Sequence, residues 1–418
     1  MGAMIGGLFR KLVKQGSLTV VYADGKSETF GAGAPRATIR FHDRRLPFDL
    51  MLRPELVFGE AYMDGRLTAD GGDLYDALDI LMTNMEQMKM PASLRFARRL
   101  RVVTRLLAQL NPAGRARKNA SHHYDLSGAL YDLFLDSDKQ YSCAYFSAPG
   151  ESLEDAQTGK KRHIAAKLHL DREGLDVLDI GSGWGGLALD LARDCGAKVL
   201  GVTLSTEQLA GANARAAKAG LAERVKFSLT DYRALEGQFD RIVSVGMFEH
   251  VGVPHYPAFF AKANALLKDD GVMLLHTVGR IDGPGASNPW ISKYIFPGAY
   301  TPALSEMIPV IERAGLIVTD VEILRLHYAD TLRLWRQRFR ARWDEAAKIY
   351  DERFCRMWDF YLAAMELGFR RAGQVVFQVQ LAKKIDSLPI TRDYMVDNER
   401  GMTVADAEPR PRRAGGMT

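Results

Sequence analysis

The chain has 418 residues, 47% of them hydrophobic and 26% charged, with a formal net charge of +5. That is length for roughly two or three globular domains of ordinary composition. The charge is too small to point to nucleic acid. Three cysteines without a C-x-x-C pair exclude a disulfide framework or a cysteine-built zinc site, and no other metal set is visible.

Residues 4–14 carry Ile5, Leu8, Phe9, Leu12 and Val13 on one helical face, with Arg10, Lys11 and Lys14 beside it. This reads as a membrane-surface helix or as a terminal helix docked on its own domain. Residues 17–57 read as strands, with Thr19, Val21 and Phe30 near turns such as Asp24-Gly25. Residues 58–110 turn helical, with Leu74, Leu78, Leu81 and Met82 at helical spacing. Residues 1–110 are therefore expected to form a small α+β domain, and no catalytic constellation stands out in it. Residues 111–121 are polar, basic and poor in apolar side chains, which predicts a linker before a second domain over 122–390.

The second domain centres on Val177-Leu178-Asp179-Ile180-Gly181-Ser182-Gly183-Trp184-Gly185-Gly186. An apolar strand runs into glycines, and Leu187, Leu189, Leu191 and Ala192 continue as a helical face. Gly181, Gly183 and Gly186 fit G-x-G-x-x-G, a turn that brings backbone close to a ligand at a helix N-terminus. A nicotinamide-binding unit expects an acid about 20 residues on, at the end of the next strand. That strand, Lys198 to Thr203, runs into Leu204 and Ser205 instead. Asp179, just before the glycines, can face a ligand's ammonium group. An aminoacyl cofactor such as S-adenosylmethionine fits better than NAD.

Strands are expected at Lys198–Thr203, Val225–Leu229, Arg241–Val245 and Val272–His276, with helices between them. The alternation predicts a parallel sheet wrapped on both faces. Ligands in such sheets sit at strand carboxyl ends, where Asp179, Thr203, Asp231, Gly246 to Glu249 and His276 all fall. Pro284, Pro289, Trp290, Tyr294, Phe296, Pro297, Tyr300 and Pro302 break the pattern and predict a cap over the site. Leu332, Trp335, Phe339 and Trp343 then share a helix with Arg333, Arg336, Arg338, Arg340 and Arg342. That stripe reads as core with a solvated charged face, or as a contact for anionic headgroups. Residues 391–418 are rich in charge, proline and glycine, and disorder is expected there.

Several runs carry a family resemblance. They are His123-Tyr124-Asp125-Leu126, Tyr141-Ser142-Cys143-Ala144-Tyr145-Phe146, Ser152 to Gln157, Asp179 to Gly186, Gly201 to Ser205 with Gln208, and Asp231-Tyr232-Arg233. Ser244 to Gly252, His276 to Gly279, Lys293 to Gly298 and His327-Tyr328 follow, and Phe58 to Gly65 extends the match into the first domain. The chain resembles the cyclopropane-fatty-acyl-phospholipid synthase family of S-adenosylmethionine-dependent lipid methyltransferases. Ser182 departs from it, since the family commonly has cysteine there.

The resemblance implies a class I, Rossmann-like methyltransferase sheet with an aromatic cap insertion. It implies that Tyr141, Ser142, Gly181, Gly183, Thr203, Gln208, Asp231 and Tyr232 contact S-adenosylmethionine. It also implies that Cys143, Glu249, His276 and Tyr328 hold a bicarbonate ion that takes a proton from the transferred carbon. The expected product is a cyclopropane fatty acid. The alternatives are a methyl-branched or methylene product, amine methylation of a small molecule, or a non-enzymatic lipid- or cofactor-binding regulator.

The expected partners are unsaturated phospholipid acyl chains at the membrane surface, with a homodimer as an option. Nucleic acid is excluded, for there is neither a Pro-Cys pair nor a Pro-Pro-aromatic motif. No apolar run approaches the roughly 18 residues of a membrane span and no secretory signal is visible. The expected location is the cytoplasm, against the inner face of the membrane.

Overall fold

The computed structural model describes residues 2–87 and 127–407. The expected linker at 111–121 and the motif at His123 to Leu126 lie outside the described residues. The first part contains α1 (Gly2–Leu12), β1 (Gly16–Val21), β2 (Ser27–Ala32), β3 (Arg36–Phe41), α2 (Leu46–Leu52), α3 (Pro54–Met63), β4 (Leu67–Ala69) and α4 (Leu74–Gln87). Its sheet runs β2-β1-β3-β4, with β1 and β3 parallel. Ile5, Phe9, Leu12 and Val13 are buried with Leu18, Val20, Phe30 and Ile39 in one core. The terminal helix thus docks on its own domain, and its apolar face is used there. The first run of strands ends at Phe41 rather than near residue 57, and β4 joins the sheet only after two helices. The two helices that follow each carry proline in the first turn, where a fixed φ helps and the missing N–H has no partner to lose.

The second part begins with α5 (Gly128–Phe134) and α6 (Leu153–Lys167). It alternates through β5 (Asp176–Ile180), α7 (Gly186–Asp194), β6 (Lys198–Thr203), α8 (Thr206–Lys218), β7 (Val225–Leu229), β8 (Phe239–Val245), α9 (Tyr256–Leu266) and β9 (Leu267–Arg280). Then come α10 (Pro289–Tyr294), α11 (Leu304–Arg313), β10 (Ile317–Leu324), α12 (His327–Ala341), α13 (Trp343–Ile349), α14 (Glu352–Arg371), β11 (Gln374–Ala382) and α15 (Asp393–Ala407). The sheet order is β10-β11-β9-β8-β5-β6-β7. β5 to β9 pair in parallel, while β11 and β10 are antiparallel additions. Ile164, Leu187, Ala188 and Leu191 cover one face. Phe259, Phe260, Ala263 and Ile311 cover the other. Chain order reverses between β5 and β8, the position where such sheets open a crevice.

A single apolar cluster runs from the first part into α5, α12 and α14. Around it, acids of the first part meet bases of the second. Asp73 pairs with Arg336 and Arg340, Asp64 with Arg353, Asp79 with Arg371, and Glu60 with Lys293. Arg336 also reaches Asp359 at 2.8 Å, and Arg338 pairs with Glu154. The arginine stripe of α12 is therefore matched by protein acids, while Leu332, Trp335 and Phe339 are core. It is not left free for anionic headgroups.

The disorder expected over 391–418 is corrected at its start, since α15 is helical. Arg392 pairs with Asp320, Tyr394 accepts from Gln380 at 2.7 Å, Met395 is buried, and Glu399 lies 2.9 Å from His163. These tertiary contacts outweigh a weak local propensity. Residues 408–418 lie outside the described residues.

The α10 insertion meets α3 at Gly59. A Cβ there would stand 2.5 Å from Trp290 Nε1 and 2.8 Å from Phe360, both buried. Gly59→Ala should therefore overpack the seam and cost about 1–3 kcal/mol, read as a lower midpoint of thermal unfolding. Gly7 in α1 has nothing within 4 Å, so Gly7→Ala should leave that midpoint unchanged or raise it. Equal midpoints for Gly59→Ala and the native chain would refute the tight seam.

Candidate active site

The turn after β5 opens at Gly183, whose φ is +53° and around which a Cβ would find nothing within 4 Å. Gly186 starts α7 under the opposite constraint. A Cβ there would collide with Asp138 Oδ2 and Gln140 Nε2. Asp138 is held in place by Lys161, which is also 2.6 Å from Asp190, and by Arg215. The segment carrying Gln140, Tyr141 and Ser142 therefore rests on the first turn of the helix.

Between that segment and the strand ends lies a cavity. Tyr141, Ser142, Asp179, Gly181, Gly183, Thr203, Gln208, Asp231 and Tyr232 all line it. Thr203 donates to Gln208 Oε1 at 3.0 Å, and Ser205 caps α8 by accepting from Gln208 N. Gln208 Nε2 is left as a donor, a role that needs no acid at the end of β6. Asp231 accepts from the Arg233 guanidinium, and the Tyr232 ring meets Phe259 edge-on.

Trp184, Met247 and His250, which belong to the runs that carry the family resemblance, line the same cavity, and so do Lys160 and Gln140, which none of those runs contains. Their signal was faint. Lys160 follows Gln157 by one helical turn on a face whose burial shows only in three dimensions.

Charges here sit in a dry environment. Asp179 is buried, and among the described residues nothing donates a hydrogen bond to its carboxylate. Burial pushes its pKa up to about 7, with the Lys160 ammonium pulling the other way. Burial also pulls the His250 imidazole down to about 4.

Cys143, Glu249, His276 and Tyr328 do not line this cavity. The fold ties them in two pairs. Glu249 Oε1 accepts from the Val278 N–H at 2.6 Å, two residues along β9 from His276. Its Oε2 is buried without a well-aligned partner, and burial raises the group to about 7. His276 Nδ1 accepts from Gln378 Nε2 at 3.1 Å, which leaves the proton on Nε2. Burial, then the charges of Lys160, Lys167 and His163, lower its pKa to about 3. On the other side, Thr331 Oγ1 donates to the His327 carbonyl at 2.7 Å and accepts from the Ala144 N–H at 3.0 Å, anchoring Cys143 to the first turns of α12 that carry Tyr328. Burial raises the Cys143 thiol far above its usual range. The proline-rich insertion buttresses the Glu249 side, since Tyr300 N–H donates to the Glu249 carbonyl and Phe296 lies against His250.

The family model described as mycolic acid cyclopropane synthetase matches residues 112–379, and one described as a domain of unknown function matches 6–92. The tuberculostearic acid methyltransferase of Mycobacterium tuberculosis is 36% identical over 91% of both chains. The cyclopropane-fatty-acyl-phospholipid synthase of Escherichia coli is 38% identical over 85% of this chain and 90% of that one. A solved mycolic acid cyclopropane synthase in complex with SAH is 33% identical, with a TM-score of 0.60 over 65% of this chain and 99% of that one.

Asp179 supplies a pH test. Below about pH 4 the group is protonated in both folded and unfolded chains. Between there and pH 7 the unfolded chain releases a proton that the fold retains, so stability falls with rising pH and levels off above the folded value. Asp179→Asn should thus leave the unfolding midpoint of the ligand-free protein unchanged near pH 4 and raise it near pH 8. A lower midpoint at pH 8 would mean that the carboxylate is paired.

Proposed function

We propose that this chain, which belongs to the mycolic acid cyclopropane synthetase family and is an S-adenosylmethionine-dependent methyltransferase, adds a one-carbon unit across the double bond of an unsaturated phospholipid acyl chain and closes a cyclopropane ring. The observation that carries this reading is one arrangement. A glycine turn opens at Gly183 onto a cavity with an unpaired carboxylate, Asp179, and next to the lining residues His250 and Val245 come Glu249, whose Oε2 has no well-aligned partner, and His276, whose Nδ1 is taken by Gln378.

The residues fit the cofactor. Gly183 leaves open space, Asp179 offers a carboxylate to an ammonium, and Gln208 Nε2 offers a donor to a sugar hydroxyl. S-adenosylmethionine, when bound, supplies a methyl on a positively charged sulfur, electrophilic enough for an isolated alkene. Methyl addition to one alkene carbon leaves positive charge on the other, and loss of a proton from the added methyl closes the ring. Water must be absent meanwhile. Buried Trp335 and Tyr361 with half-buried Tyr141 provide an aromatic wall, with the Tyr141 and Tyr361 hydroxyls 3.0 Å apart.

The proton acceptor in this proposal is bicarbonate, and the residues assigned to hold it are Glu249, His276, Tyr328 and Cys143. Bicarbonate, when bound, would supply a base that is not itself part of the protein. A neutral His276 keeps its Nε2–H as a donor. Glu249, raised to about 7, shares a proton instead of repelling an anion.

Acyl chains are reached at a membrane, and among the described residues no helix is long and apolar enough to cross one. We assign the contact, at the inner face, to α2. There Phe48 and Leu52 are exposed one turn apart beside Arg44 and Arg53. A second reading follows from the likeness to the tuberculostearic acid methyltransferase. The same positive charge, moved by a 1,2-hydride shift onto the carbon that bears the added methyl, gives a methylene chain when a methyl proton leaves, and a methyl-branched alkene when a chain proton leaves instead.

Expression in a host lacking such an enzyme should add one CH2 to unsaturated phospholipid chains by mass spectrometry, with the upfield proton resonances of a three-membered ring. Vinylidene resonances would support the second reading, and unchanged lipids would sink both. Glu249→Gln should slow turnover by about 10²- to 10⁴-fold, with SAH affinity by calorimetry nearly unchanged. Full activity of that variant in bicarbonate-depleted buffer would remove the anion site.

A further inference from the structure

Among the long side chains that helix α6 buries are Gln157, Lys160, Lys161 and Lys167. Lys161 is conventionally paired, 2.6 Å from both Asp138 and Asp190. Its neighbour is not. Lys160 is 1% exposed, yet its ammonium donates only to neutral oxygens, Gln140 Oε1 at 2.5 Å and Ser142 Oγ at 2.8 Å. Among the described residues no carboxylate lies within ion-pair distance of it. Asp136, Asp138 and Asp179 act on it only from further away. Buried charges are normally paired, so this one lacks a counter-ion within the fold.

Lys160 lines the cavity, and so does Asp179, the buried carboxylate without a donor. A cavity holding one uncompensated cation and one uncompensated anion is complementary to a zwitterion. The α-amino acid end of S-adenosylmethionine is one. Ser142 gives the arrangement a direction. Its carbonyl accepts from Gln157 Nε2 at 3.0 Å and its Oγ accepts from Lys160, so its own hydroxyl hydrogen is left to point toward a ligand.

We infer that Lys160, acting through Ser142, forms the subsite for the α-carboxylate of the cofactor, opposite Asp179 at the α-ammonium. The inference rests on the cofactor reading above and adds a positioning residue to it. Burial lowers Lys160 only to about 8, so the group carries its proton at neutral pH, where the subsite has to work. Lysine suits this place because its flexible stem delivers a point charge from a buried helix face without a large planar head.

The test is a cycle of two ligands and two proteins, read by calorimetry at pH 7. The ligands are SAH and its decarboxylated analogue, which keeps the amine, the thioether and the adenosine. A charge-assisted hydrogen bond implies that the native protein prefers SAH by about ten- to a hundredfold. Lys160→Met should weaken SAH by a similar factor and leave the analogue nearly unchanged, collapsing the preference. Equal weakening of both ligands would mean that Lys160 only holds the fold, and would overturn the inference. Should Lys160→Met fail to fold, two measurements still decide. The native protein must discriminate between the ligands, and Ser142→Ala must reduce that discrimination. A native protein that binds both ligands equally overturns the subsite alone, whereas one that binds neither overturns the cofactor reading with it.

Discussion

One close approach shapes the site. The segment that carries Asp138 and Gln140 lies directly on Gly186, at the start of the helix after the glycine turn. Any side chain at 186 would lift it. Two cations and one further acid hold it down: Lys161, Arg215 and Asp190. The residues next along, Tyr141, Ser142 and Cys143, inherit their positions from this contact. So does Lys160, which reaches Ser142 only because Gln140 is already in place. The glycine pattern thus serves twice here. Gly183 leaves room for a ligand, and Gly186 leaves room for the chain that closes over it.

The first part of the chain belongs to the same body. Its core is continuous with α5, α12 and α14, and the ion pairs named above that join the two parts all place the acid on the first and the base on the second. Exposed pairs of this kind contribute little singly. Arg336, buried between Asp73 and Asp359, differs, because removing either acid would leave a buried guanidinium underpaired. The sign pattern sets the register between the two parts, and the apolar cluster supplies most of the adhesion. Trp290 and Phe360 pack edge to face at 4.6 Å beside Gly59, so the insertion that buttresses Glu249 from one end grips the first part from the other.

The parallel sheet was legible because its signals are local. Apolar runs such as Val199 to Thr203 are bounded by turn residues, and four of the strands fall close to where the pattern puts them. The nine residues expected around the glycine turn do line one cavity, since strand ends are adjacent by topology. What stayed illegible depends on pairs distant in sequence. Nothing in the charge-rich stretch after residue 391 announces that Tyr394 and Glu399 will meet Gln380 and His163. The arginines of α12 look solvated until Asp73, more than two hundred residues earlier, is placed beside them. Lys160 looks like an ordinary surface lysine on a charged helix, and its burial follows only from the segment laid over Gly186.

Burial also decides which groups stay reactive, and this bears on how an alkylating site avoids alkylating itself. An electrophilic methyl or a positively charged chain attacks the best nearby nucleophile. Thiolates and carboxylates would outcompete an alkene. Here the Cys143 thiol is held far from ionisation by burial, so it is present as a poor nucleophile. Glu249 is raised to about 7 and has one oxygen engaged by the Val278 N–H. His276 is neutral, and its basic Nδ1 is occupied by Gln378. Each hazardous group is thus neutralised by desolvation or blocked by a hydrogen bond. Asp179 is the exception, a buried carboxylate with no donor on it, and it lines the cavity where an ammonium would cover it. Low dielectric therefore does two jobs with the same residues. It quenches the protein's own nucleophiles, and it sharpens the few charges left to orient a ligand.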